Sequence, residues 1–132
     1  MASQAQTPAT PYDLIGGHPT LQRVVERFYD LMEQDPAYAE LRALHAPELA
    51  PMRHSLTGFL AAWSGGPRDW HTENPGKCMM SAHKGIAISA AVAEQWADAM
   101  TRAIADADLP HADLSAEMTE LLARMARSMA RN

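Results

Sequence analysis

Apolar residues recur along the chain at three- and four-residue steps, and the runs between turn signals predict helices. Leu21, Val24, Val25, Phe28, Leu31 and Met32 mark the first long one. It follows the Gly16-Gly17 turn, with Pro19 in its first turn, where a missing N–H costs nothing. A second helical piece spans about 36–45, with Tyr38, Leu41 and Leu44. Residues 48–63 carry the stripe Leu49, Met52, Leu56, Phe59, Leu60 and Trp63, and Gly65-Gly66-Pro67 ends it. No period is visible over 67–78, which reads as a long loop followed by a short segment from Cys78 to His83. Ser89 caps a predicted helix over 90–107, and Leu109-Pro110 breaks it. The last helix, 113–130, shows Leu114, Met118, Leu121, Leu122, Met125 and Met129 on one face. Nothing alternates with period two. The expectation is an all-α fold: a flexible tail over 1–10 and a single domain over 11–132.

Composition narrows the function. With 132 residues, 47% of them hydrophobic and 20% charged, the chain is one globular domain. A net charge of −5 without a Lys/Arg cluster argues against nucleic acid. No apolar run is long enough to span a bilayer. Cys78 is the single cysteine, so an intrachain disulfide and a Cys-based zinc site are excluded. The N-terminus lacks a basic start and an apolar core, which makes the cytoplasm the expected location. Aromatics are only 6%, whereas Met reaches nine. That balance suits packed helices. It also leaves room for a large apolar group that is not protein.

The six histidines are 18, 45, 54, 71, 83 and 111. None pairs with another in the zincin pattern, and there is no phosphate-binding glycine loop or nucleophile elbow. Cys78 has no evident base beside it. His83 stands out because it follows the long loop and precedes Ile86 and Ile88. Such a histidine is either a satisfied structural residue or an axial ligand to a metal or haem. His54 is expected on a solvated face, His111 in a loop or cap, and Glu26, Glu33 and Asp35 as solvated charges.

Read together, Gly16-Gly17, Phe28-Tyr29, Gly65-Gly66-Pro67, and the spacing from Pro67 to His83 and on to Trp96 form one ordered set. Over about residues 11–130 it resembles the truncated haemoglobins of group II, a two-over-two helical sandwich around haem. The resemblance implies haem b (iron protoporphyrin IX), with His83 as proximal iron ligand through Nε2. It implies Tyr29, Trp96 and His45 as distal hydrogen-bond donors, and Leu56 as an apolar wall. Phe28, Phe59, Leu60 and Ile88 complete the surroundings. Met52 takes a distal position where it either narrows the pocket or binds iron itself. Whether Met52 or Arg53 faces the iron depends on the register of 45–56.

The chain departs from the family at Ala82, where Arg is common, at Lys84-Gly85-Ile86, where a Pro-Phe element is common, and at Trp70, where a loop tyrosine is usual. Lys77, Lys84, Arg68 and the Trp70 N–H are the available donors for the haem carboxylates. The implied function is binding of O2, NO, peroxide or other small ligands, served by a reductase the sequence does not identify, in a monomer or weak homodimer. The donor number suggests sensing or detoxification, through nitric oxide dioxygenation or peroxidase-like chemistry, more than oxygen transport. Two alternatives stay open: a six-coordinate redox or sensor module using Met52 or His45, and a haem-free helical interaction domain in which Tyr29, Trp96 and His83 are ordinary structural residues.

Overall fold

The computed structural model describes residues 9–75, 83 and 86–130. In this range seven α-helices follow one another: α1 Pro11–Leu14, α2 Gly17–Gln34, α3 Ala39–Ala43, α4 Ala50–Trp63, α5 Asp69–Glu73, α6 Ala90–Ala107 and α7 Ala112–Ser128. A 3₁₀ turn, Pro36–Tyr38, precedes α3. Among the described residues there is no strand. None of the helices among them is long and apolar enough to cross a membrane.

The long helices begin and end where local chemistry dictates. The Ser89 hydroxyl accepts the Val92 N–H at 3.1 Å, which satisfies one of the N–H groups left over at the start of α6. The far end of α6 closes on Asp108 in the left-handed region, at φ 50°. The sequence pattern shows no helix before Gly16, yet α1 forms there through a capping box between Thr10 and Asp13. Gly16 then takes φ 105°, where a side chain would be strained and a Cβ would collide with the Thr20 hydroxyl. At the other Gly-Gly turn, a Cβ on Gly66 would come within 2.5–2.7 Å of the Tyr12 ring. The Tyr12 N–H also donates to the Ser64 carbonyl at 2.9 Å. The two glycine turns therefore clamp α1 onto the C-terminal end of α4.

Packing joins α2 to α4 and α6 to α7, and α2 also lies against α6. These two helix pairs enclose the core. Leu21, Val25, Phe28, Met32, Ala99, Met100, Ala103, Ile104 and Leu122 sit in it at 0–1% exposure. The predicted apolar faces hold with three exceptions: Leu44, Met52 and Leu121 are exposed, Leu121 because it lies one position away from the buried residues of α7. The expected loop after Pro67 contains α5. Its five residues are too few to show a period, and Trp70 is buried there against Gly58.

Glu26 and Glu33, expected as solvated charges, belong to an ionic cluster with Asp30. The Arg53 guanidinium of α4 reaches across to all three on α2, donating to Asp30 and Glu33 at 3.1 Å and pairing with Glu26. It also donates to the Glu26 carbonyl at 3.1 Å. The arginine is largely shielded while its partners are about half exposed. Replacing Arg53 by Met leaves three carboxylates facing one another, and the expected loss is about 1–2 kcal/mol of unfolding free energy. Urea unfolding at low and high salt checks this, since screening in 1 M salt shrinks the difference.

Candidate functional site

A cavity of about 340 Å³ lies between the helix pairs. Each wall follows from the periodicity of its helix. From α4 come Met52, Ser55, Leu56, Phe59 and Leu60, at three- and four-residue steps. From α7 come Leu122, Met125, Ala126 and Met129, with the same spacing. Helix α6 provides Val92, Ala93 and Trp96, and α2 provides Tyr29. The corner after α3 adds Leu44, His45 and Ala46, with Leu41 before it. His83, Ile86 and Ile88 close the remaining side together with Trp70 of α5.

Ten of the residues singled out in the sequence thus meet at one cavity: Tyr29, His45, Met52, Leu56, Phe59, Leu60, Trp70, His83, Ile88 and Trp96. Phe28 and Arg68 do not line it. Phe28 stands behind it, fully buried, with edge-to-face contacts to the Tyr29 ring (4.9 Å) and the Trp96 ring (5.2 Å). Arg68 sits at the start of α5. Lys77 and Lys84 lie outside the described residues, as do residues 1–8 of the tail expected over 1–10; Thr10, at its end, caps α1. The register of α4 is settled in favour of Met52, since Arg53 points to the carboxylates of α2. Met52 lies at the cavity mouth and is 38% exposed. His54 is on the solvated side, 3.4 Å from Glu73, and His111 occupies the position before α7. The α7 residues and Ser55 were missed as lining residues. In the sequence the α7 stripe is indistinguishable from ordinary core, and only the enrichment in Met hinted at an adaptable apolar wall.

The polar groups in this apolar cavity have distinct states. Burial pushes the Tyr29 hydroxyl pKa far above its ordinary value, and the Arg53 guanidinium, 5.6 Å over the ring, offsets this in part. Tyr29 therefore remains a protonated donor at any physiological pH. Among the described residues neither the Tyr29 hydroxyl nor the Trp96 indole N–H donates a hydrogen bond to protein. Neither is sealed in, because no buried side-chain nitrogen or oxygen is left unpaired. Both residues line the cavity. Trp70 differs: its indole N–H donates to the Ser55 hydroxyl at 2.9 Å, so it is already engaged and is no free donor for a carboxylate. His45 is held by a 2.9 Å hydrogen bond from Nδ1 to the Leu41 carbonyl. Burial lowers its pKa, opposed by that bond, with Arg42 and His83 adding further lowering, so the ring is neutral at pH 7.

This donor set suits one kind of guest. Among the described residues no three His, Cys, Asp or Glu side chains gather to hold a bare metal ion. Two imidazoles, His45 and His83, in an otherwise apolar cavity instead suit a metal that brings most of its ligands with it, as in a flat macrocycle.

Comparison with known proteins agrees. The family model for bacterial-like globins matches residues 10–131. Among solved structures, the group II 2-on-2 haemoglobin of the plant pathogen Agrobacterium tumefaciens superimposes with a TM-score of 0.89 at 25% identity, covering 97% of this chain and 98% of that one. A haemoglobin from the thermophilic phototroph Chloroflexus aurantiacus gives 0.86 at 26% identity, over 95% and 100% of the two chains. The thermostable haemoglobin of the actinobacterium Thermobifida fusca gives 0.83 at 28% identity, over 93% and 98%.

Proposed function

From the premise that this chain belongs to the bacterial-like globins, as a haem-binding protein of the group II truncated type, we propose that it binds O2 and related small ligands at haem b, with His83 as the iron ligand. When bound, haem supplies an iron centre that takes up a small ligand. Everything else is work for the protein. Met125, Met129, Leu56, Phe59, Ile88 and Val92 exclude water from the two faces of the slot. In such a dry site a hydrogen bond to a partly negative ligand is stronger than in water.

The observation that carries the proposal is the pair of donors, Tyr29 O–H and Trp96 N–H, unengaged among the described residues, on residues that line the same apolar cavity as His83. An ordinary core would give both groups a protein acceptor. Phe28 supports them from behind, touching both rings, so both donors are pre-aligned before any ligand arrives. Two fixed donors slow ligand release, which suits sensing or detoxification, including nitric oxide or peroxide chemistry, better than oxygen delivery. With the Trp70 N–H engaged by Ser55, Arg68, Lys77 and Lys84 remain as the available donors for the haem carboxylates.

The testing experiment is the visible spectrum of the purified protein with and without dithionite. A coloured protein with a Soret band, and a single broad visible band once reduced, is the expected result. A colourless protein that gains no Soret band from haemin overturns the proposal in favour of a haem-free helical domain. Sharp split bands in the reduced, ligand-free state would mean that His45 or Met52 has taken the sixth position. Met52 is poorly placed for that role, being more than a third exposed at the mouth.

A further inference from the structure

We propose that Gln95, which does not touch the cavity, fixes the tautomer of His45 and so makes this ring the hydrogen-bond acceptor of the pocket, favouring small ligands that carry a hydrogen of their own. The inference rests on the haem-pocket reading above and refines it. The resemblance implied His45 as a third donor; the hydrogen bonds around it point the other way.

The argument runs through three residues. Gln95 lies on α6 beside Trp96. Its Oε1 accepts the Leu41 N–H at 3.1 Å, and its Nε2 donates to Glu40 Oε1 at 3.4 Å. A backbone N–H only donates and a carboxylate only accepts, so the orientation of the amide is determined. The Leu41 N–H belongs to the first turn of α3 and has no acceptor within that helix. Gln95 therefore supplies the one it needs. The Leu41 carbonyl in turn accepts from His45 Nδ1 at 2.9 Å. A carbonyl cannot donate, so Nδ1 carries the ring hydrogen, and in the neutral ring Nε2 carries a lone pair. With Tyr29 and Trp96 as donors, the pocket then offers two donors and one acceptor.

The same face of α6 clasps the rest of the corner. The Tyr38 hydroxyl donates to Asp98 at 2.5 Å, and Arg102 donates to the Tyr38 hydroxyl at 3.0 Å and to Asp35 at 2.8 Å. Residues 95, 98 and 102 succeed one another at helical spacing. The segment carrying His45 is thus tied by hydrogen bonds to the helix that carries Trp96. A ligand such as hydrosulfide, which keeps a hydrogen on its bound atom, can donate to His45 Nε2. Azide has no hydrogen to give.

The test uses the intact haem-loaded protein. In the diamagnetic carbon monoxide complex, ¹⁵N NMR is expected to show His45 protonated at Nδ1 only. Gln95→Met keeps the side-chain length and removes the acceptor. It is expected to mix the His45 tautomers, shift the carbon monoxide stretching band, and weaken hydrosulfide binding about tenfold relative to azide, the scale of one neutral hydrogen bond. Glu40→Ala removes only the outer partner of Gln95 and is expected to leave all three unchanged. A wild-type His45 protonated at Nε2 overturns the proposal without any variant. An unchanged tautomer and ligand ratio in Gln95→Met overturns it as well. Either failure occurs in a coloured protein, whereas a protein that takes up no haem overturns the pocket reading itself.

Discussion

His83→Ala is expected to abolish stable haem binding. His83 is the proposed iron ligand, since it lines the cavity and matches the family's ligand position. Changes to groups that merely orient a metal ligand cost about 10–100-fold in affinity, so losing the ligand itself should cost more than about 100-fold. Titration with haemin, followed at the Soret band, reads this directly. The variant should still fold, because His83 lies in a turn outside the packed helices. Circular dichroism of the haem-free form is expected to match the wild type. Undiminished haemin affinity would move the iron to another residue. Added imidazole should partly restore the band, since it refills the space the side chain leaves.

The second large effect is expected at the distal donors. Tyr29→Phe and Trp96→Phe each keep most of the ring packing against Phe28 and remove one N–H or O–H. A hydrogen bond to a charged or strongly polarised partner is worth about 1.5–3 kcal/mol. Each substitution should therefore speed oxygen release by about ten- to a hundredfold, with the change falling on the off-rate. The two changes should not simply add, because the rings share a contact through Phe28 and the donors share one ligand. Stopped-flow displacement of oxygen by carbon monoxide measures all three variants. A wild-type release rate that neither substitution alters would remove Tyr29 and Trp96 from the ligand's surroundings.

Much of this architecture was legible in the apolar pattern. The limits of α4 and α6 lie within about two residues of those expected, because Gly65-Gly66-Pro67, Ser89 and Pro110 act through local backbone chemistry. The helices that escaped notice are α1 and α5, with four and five residues. At that length no period develops, and such turns persist only because they are packed: α1 on the Gly65-Gly66 turn and α5 through Trp70 on Gly58. Leu121 was read as inward because a helix face is about 100° wide and the sequence alone does not mark its edge. The ionic cluster of Arg53 was invisible for a different reason. Glu26, Asp30 and Glu33 look like a solvated helix face until another helix lays an arginine across them.

The candidate site divides along the same line. Residue identity and spacing were enough to single out His83, Tyr29, Trp96 and His45, because their types and order resemble one family. No sequence feature shows, however, that Phe28 braces two of those rings from behind, or that the Trp70 N–H is already taken by Ser55. The sequence by itself determined the all-α class, the boundaries of the long helices and the residue types available for chemistry, since these depend on interactions within a few positions of the chain. Tertiary structure alone decided that Met52 and not Arg53 faces the cavity, that Leu122, Met125 and Met129 form its wall, and that the Leu41 N–H meets Gln95 across 54 positions. Those outcomes depend on which groups two distant helices bring within hydrogen-bond or van der Waals reach, and helical periodicity carries no record of a partner.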